Sequence, residues 1–101
     1  MYIVTSAVVV PKEKTEEVIG IYQNRSRLVD TADGFLSFHL LQNDKKTNEL
    51  TVHMMWETKQ HYLNWVRSDQ FKQIHDLEKS YPDQELAAII PKVTQYSVVA
   101  T

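Results

Sequence analysis

The spacing of apolar residues changes along the chain from a two-residue to a helical period and back. Residues 1–10 are rich in β-branched and aromatic side chains and end at Pro11, which predicts a strand. From Thr15 to Ala32 apolar side chains recur three and four residues apart, which predicts a helix that ends at Asp33-Gly34.

The same reading predicts four more elements. Residues 35–42 and 49–57 are two strands joined by a polar loop, and residues 93–100 are a last strand. Residues 59–77 have helical character, with a restart expected at Ser68-Asp69, where Ser68 can cap a new helical segment. The order is β-α-β-β-α-β, which is typical of a ferredoxin-like α+β fold with a four-stranded antiparallel sheet.

The pairing inside the predicted hairpin decides which residues share a face. Pairing of Gln42 with Glu49 predicts that His39 and His53 lie on opposite faces of the sheet.

Both faces of the predicted strands are largely apolar, and two helices can cover only one face. The other face needs a partner, and a second copy of the sheet is the simplest one, so we expect a homodimer. On the predicted register Phe38 and Met55 share a face, and a charge placed there should give a monomer or an insoluble chain.

Composition restricts the class of protein. The 101 residues fit one domain, residues 1–101, and the absence of cysteine excludes disulfides, thiolate metal sites and cysteine nucleophiles. A net charge of −2 without a basic stripe argues against nucleic acid as a partner. No export signal and no apolar run of membrane-spanning length are visible, so we expect no membrane association and a cytoplasmic location.

Histidines are the side chains that titrate near neutrality, and the chain has four: His39, His53, His61 and His75. None forms a closely spaced metal-binding pair in the sequence, which argues against a multidentate zinc site.

His75 differs from the other three because it follows Trp65 by ten residues on the second helix. Along an unbroken helix that separation is about 15 Å, and a restart at Ser68-Asp69 would shorten it. The spacing allows two interpretations: either Trp65 and His75 serve one ligand site, or Trp65 is core and His75 caps the helix end. Arg25 and Arg27 could meet an anionic group.

Two segments carry a resemblance to a known family, Met55-Trp56-Glu57-Thr58-Lys59 and the stretch from Trp65 to His75. Together with Ile3-Val4-Thr5 and Asp33-Gly34-Phe35, they resemble the antibiotic-biosynthesis-monooxygenase superfamily. Within it the chain is most similar to the Isd-type bacterial haem-degrading monooxygenases. Trp followed by His ten residues later is the more discriminating part.

The resemblance implies a dimeric α+β barrel with one haem per subunit, which is cofactor and substrate together. His75 would ligate the iron, Trp65 would push the porphyrin out of plane, and Phe71 would line the cofactor site. The enzyme would oxidise the macrocycle with O2 and an external reductant, releasing iron and an open-chain tetrapyrrole.

One position departs from the family. Where the family has an asparagine on the first strand, this chain has Ser6, or Ala7 in a gapless alignment. Ser6 is therefore the candidate catalytic hydrogen-bond donor there, with one O–H in place of an amide NH2.

The same residues are also compatible with two other functions. One is a cofactor-independent monooxygenase acting on a quinol or a polyketide-like aromatic, with Trp65 and His75 lining the substrate pocket. The other is a non-catalytic dimeric protein that binds haem.

Overall fold

The chain folds as one four-stranded antiparallel sheet with helices on one side, in a computed structural model that describes residues 1–101. Its strands are β1 (Tyr2–Val9), β2 (Phe35–Gln42), β3 (Glu49–Trp56) and β4 (Lys92–Ser97). Its helices are α1 (Thr15–Gln23), α2 (Lys59–Val66), α3 (Asp69–Lys79) and the short α4 (Gln84–Ala87), with 3-10 turns at Lys12–Lys14 and Leu28–Thr31.

The strand order is β2-β3-β1-β4, and every neighbouring pair is antiparallel. This is the order of a ferredoxin-like sheet, so the predicted α+β architecture is confirmed. The short helix α4, between α3 and β4, was not predicted.

The core lies between the sheet and the helices, in two clusters. The larger one is largely aromatic and sits under α2; its buried members are Tyr2, Val4, Val29, Trp56, Tyr62 and Trp65. The smaller one sits under α1 and consists of Val10, Val18 and Leu50. Only 11 of the 101 residues are buried, so these few side chains hold the helices on the sheet.

The predicted hairpin register is wrong by one residue. Gln42 pairs with Leu50, and His39 lies directly opposite His53 on the same face. The loop sets this register, since the Asn43 side-chain oxygen accepts hydrogen bonds from the backbone N–H groups of Lys45 (2.9 Å) and Lys46 (3.0 Å). Because both faces are apolar, the alternation of residue types could not select the register.

The observed register also changes the face of the sheet on which Phe38 lies. Phe38 faces the helices, where the Arg25 guanidinium carbon lies 4.0 Å from the centre of its ring, whereas Met55 is on the opposite face. The prediction that these two share a face is therefore also wrong.

The first helix is shorter than predicted. It ends at Gln23, after which the Asn24 side chain donates to the Gly20 carbonyl (2.8 Å) and Arg27 adopts a left-handed conformation with φ 60°. A 3-10 turn then carries Leu28 and Val29 to the core, which explains why apolar spacing continued beyond the end of α1.

Gly34 ends this connection in a conformation that suits glycine, with φ 79°. A Cβ at this position would overlap the His61 ring. Gly34 therefore lies against His61, and the start of β2 packs closely on the start of α2.

The face of the sheet opposite the helices is uncovered. Its apolar side chains include Ile3 and Met55, and also Leu41 and Tyr96, which are 48% and 51% exposed. None of the helices has the length and apolarity needed to cross a membrane.

Candidate functional site

A break between α2 and α3 sets the position of the candidate site. The Ser68 hydroxyl accepts the Phe71 backbone N–H (3.2 Å) and donates to the Trp65 carbonyl (2.6 Å). One serine thus ends α2 and begins α3, and the predicted restart is confirmed.

The break brings three of the four predicted site residues together. The Trp65 and Phe71 rings meet edge to face at 5.9 Å between centroids, and the His75 ring lies 4.3 Å from Phe71 with a tilt of 48°. Phe71 is therefore the bridge between Trp65 and His75.

Trp65 is also a core residue, 7% exposed, and its ring lies 6.4 Å from that of Trp56. The core interpretation of Trp65 is therefore confirmed, and the interpretation that Trp65 and His75 serve one ligand site stays a prediction. Trp56 itself is fully buried, and its indole N–H has no hydrogen-bond partner.

His75 lies inside α3 and does not cap its end, since the helix continues to Lys79. Its side chain is 49% exposed, and Nδ1 lies 3.8 Å from a Glu78 carboxylate oxygen, which is beyond hydrogen-bond distance. The imidazole is thus held by Phe71 on one side and open to a ligand on the other.

The end of α1 lies near this part of α3. Burial raises the pKa of the Tyr22 phenol above its ordinary value, and the negative charge of Glu78 raises it further. Leu77 of α3 is exposed, but it lines a separate groove that does not include His75. The apolar surface that the structure places against the His75 imidazole is the Phe71 ring.

Ser6 takes no part in the aromatic group. It lies on the helix-facing side of β1, paired with Val52 of β3 and Val93 of β4, and is half-buried. The structure thus joins three of the predicted residues and leaves Ser6 on the sheet.

Arg25 is already engaged by the protein, because its guanidinium pairs with Asp30 (3.0 Å) and stacks on Phe38. Arg27 also reaches Asp30, at 3.5 Å, from an exposed position. An anionic ligand would therefore have to compete with Asp30 for both guanidinium groups.

Tyr62 and Tyr2, which sequence reasoning did not single out, extend the aromatic group. Tyr62 of α2 lies 6.0 Å from Trp56 and 6.0 Å from Tyr2, between ring centroids. Helical phase could have found Tyr62, since it precedes Trp65 by three residues and so shares its face.

A shallow groove of about 520 Å³ on α3 is separate from this group. Its lining residues are Asp69, Lys72, Gln73, Asp76, Leu77 and Ser80. Only one of them is apolar, and neither His75 nor Trp65 is among them, so the groove does not suit a flat aromatic ligand.

The comparisons with known proteins agree on one family. The sequence profile of the antibiotic biosynthesis monooxygenase family matches residues 1–77. A haem-degrading monooxygenase from Bacillus thuringiensis is 31% identical over 100 residues, covering 97% of this chain and 90% of that protein. One from Listeria welshimeri is 32% identical over 93 residues, covering 83% and 77%.

A solved structure gives the same fold. The haem degrader MhuD from Mycobacterium tuberculosis, with two haems bound in its active site, superposes with a TM-score of 0.78 over 100% of this chain and 98% of that one. At 20% identity, this likeness bears on the fold alone.

Proposed function

This chain belongs to the antibiotic biosynthesis monooxygenase family and is a monooxygenase, and from that membership we propose that its substrate is haem. In this proposal it cleaves the porphyrin with O2 and electrons from an external reductant and releases iron. The matching relatives from Bacillus and Listeria, which are named for this activity, support the proposal.

The observation that carries the proposal is one open imidazole beside an aromatic group. A zinc ion is held by three or four protein ligands, and no three His, Cys, Asp or Glu side chains of the chain come together. The iron of haem already has four pyrrole nitrogens, so a single protein ligand such as a histidine would be enough to hold it. A single His75 on a half-exposed helix face, packed on Phe71, therefore fits haem.

Each residue would have a separate role in binding haem. His75 would ligate the iron, and Phe71 would hold the imidazole in its orientation by the 4.3 Å ring contact. Trp65, fixed in the core by Trp56, would press on the macrocycle without yielding. Haem would supply the O2 chemistry, whereas the protein would bind it, orient it and limit its contact with water.

Ser6 is the proposed hydrogen-bond donor on the sheet side. Its hydroxyl lies on the same face of the sheet as the core and can donate one hydrogen bond. An asparagine amide offers two donors where Ser6 offers one, so we propose that Ser6 affects the rate of cleavage more than haem binding.

We further propose that the protein is a homodimer whose contact is the uncovered face of the sheet. Ile3, Met55, Leu41 and Tyr96 give this face an apolar surface that no element of the chain covers. Contiguous apolar surface of this kind marks protein interfaces.

The experiment has two stages, binding and turnover. Haemin added to the apoprotein should produce a sharp Soret band, and ascorbate with O2, in the presence of catalase, should bleach it and release iron. A Soret band that survives ascorbate and O2 would mean haem binding without catalysis. No Soret band at all would overturn the proposal in favour of an organic substrate such as a quinol.

A further inference from the structure

Four aromatic rings lead away from the candidate site through the core. The first is Trp65, whose ring meets that of Phe71 in the site. Trp65 lies 6.4 Å from Trp56, which lies 6.0 Å from Tyr62, and Tyr62 lies 6.0 Å from Tyr2, all between ring centroids. Each separation lies in the range of rings in direct contact. We call Trp65, Trp56, Tyr62 and Tyr2 the aromatic series.

The last ring of the aromatic series is linked to the surface. Tyr2 is buried, and its hydroxyl donates to the side-chain oxygen of Gln95 on the edge strand β4. Gln95 is exposed and pairs with Val4, a core residue under the helices. This end of the series therefore lies on the helix side of the sheet, away from the face of the proposed contact between two copies.

The series is made of side chains that lose an electron easily. In a chain without cysteine, tryptophan and tyrosine are the side chains most readily oxidised by one electron, and both tryptophans of this chain belong to the series. The rate of electron transfer falls steeply with distance. An electron therefore moves faster through four contacting rings than in one step across the core.

The two middle rings can pass a radical on but do not hold it. Trp56 is fully buried and its indole N–H has no hydrogen-bond partner, so the oxidised ring would keep its proton and stay a cation in an apolar core. Burial raises the pKa of the Tyr62 phenol, and the neighbouring Tyr2 raises it further, so this proton is also held. Tyr2 is the ring of the series that is linked to an exposed polar group, and it can release its proton to water.

We propose that the aromatic series is a path by which a one-electron oxidant at the candidate site is reduced at the expense of Tyr2. The oxidant takes one electron from Trp65, which recovers it through Trp56 and Tyr62. Tyr2 supplies that electron and releases its phenolic proton to water beside Gln95. An external reductant such as ascorbate then returns one electron to the tyrosyl radical, and water returns the proton.

The use of this path rests on the proposed function. Under that function the oxidant is haem that a peroxide has oxidised, which forms when O2 is reduced without cleavage of the porphyrin. An electron drawn from Tyr2 spares Trp65 and His75 from permanent oxidation.

Flash photolysis of the haem-free protein tests the path without haem. A ruthenium bipyridine complex is coordinated to the His75 imidazole, and the species labelled at this histidine alone is isolated. A flash in the presence of an electron acceptor makes the label a one-electron oxidant, and we expect the absorption of a tyrosyl radical to follow. Tyr2→Phe should lose this signal because it removes the end of the path. Trp56→Phe should lose it because phenylalanine is hard to oxidise.

Tyr81→Phe is the matched control, since it removes a phenol outside the series, and it should give the signal of the unaltered protein. Far-UV circular dichroism of each variant checks that it folds. A tyrosyl signal of unaltered size in Tyr2→Phe would overturn the proposal. So would the absence of a tyrosyl radical in the labelled protein without substitutions.

The haemin-loaded protein provides a second measurement. Hydrogen peroxide followed by rapid freezing should give a tyrosyl radical in electron paramagnetic resonance spectra, and Tyr2→Phe should lose it. An equal radical signal in Tyr2→Phe would contradict the use of the path with haem. Failure of haemin to bind would overturn the proposed function alone, because the labelled protein tests the path without it.

Discussion

At the scale of single residues, Trp65 is a core residue that also contacts the candidate site. It is buried with Trp56, and its ring meets that of Phe71, which in turn contacts His75. The effect of a substitution at Trp65 therefore has to be measured in two ways, once on stability and once on activity.

We expect Trp65→Phe to bind haem nearly as tightly as the unaltered protein and to degrade it more slowly. The smaller ring leaves His75 in place but presses less on the macrocycle. Soret titration and the rate of Soret bleaching, measured on the same preparation, separate the two effects. Equal bleaching rates would remove Trp65 from the proposed chemistry.

At the scale of elements, Ser68 links α2 to α3 by two hydrogen bonds of one hydroxyl. We expect Ser68→Ala to lower the free energy of unfolding by about 1 kcal/mol, the usual effect of losing an N-cap. Haem affinity should fall as well, because Phe71 and His75 lie on the helix that the cap begins. Urea unfolding and Soret titration measure the two effects.

Ser68→Thr is the matched control, since it keeps a capping hydroxyl. It should retain most of the stability and affinity that Ser68→Ala loses. An alanine variant that binds haem as tightly as the unaltered protein would show that the break does not position His75.

Asp83 connects α4 to the start of α1 and makes stability depend on pH. Lys14, at 2.8 Å, lowers the pKa of the Asp83 carboxyl, and the backbone N–H groups of Leu86 and Glu85 lower it further. Because the folded state favours the ionised carboxyl, its stabilisation is present above the ordinary pKa of 3.8 and is lost as pH falls through the lower folded value.

We therefore expect Asp83→Asn to be less stable than the unaltered protein near neutral pH, by a margin that shrinks below about pH 4 and vanishes in strong acid. Asparagine keeps the helix cap, so the difference isolates the charge. Urea midpoints across this pH range measure it. A margin that persists in strong acid would contradict the assignment to Lys14.

The elements were largely predictable, and particular residues show where prediction stopped. The restart at Ser68 could be predicted because a capping residue has a local signal. The hairpin register could not, since Phe38 and Leu40 on one face and Leu41 on the other are equally apolar. The break after Gln23 was hidden because Leu28 and Val29 continue the apolar spacing from a 3-10 turn.

Sequence could likewise predict one grouping of side chains and not another. The grouping of Trp65, Phe71 and His75 follows from helical phase and one cap, so sequence could indicate it. The facing of His39 and His53 depends on a register shift of one residue, which only the folded loop determines.

At the scale of the whole molecule, the register assigns the two faces of the sheet to different roles. Phe38 lies under the helices and Met55 lies on the uncovered face. A charge at each position should therefore have a different effect.

We expect Met55→Glu to convert the proposed dimer into a folded monomer, because a carboxylate cannot be buried unpaired in a contact between two sheets. Phe38→Glu should instead lower the free energy of unfolding by about 3 kcal/mol or more. Sedimentation velocity and urea unfolding separate the outcomes, with the exposed Gln60→Glu as a control. A dimeric Met55→Glu variant would place the subunit contact elsewhere.

The central claim is that the His75 imidazole ligates a haem iron, and haemin titration of a His75→Gly variant tests it most directly. The unaltered protein and a His61→Gln control should give the same Soret band, the His75→Gly variant should lose it, and free imidazole added to that variant should restore it. A His75→Gly variant that binds haemin with the unaltered affinity and spectrum would contradict the account.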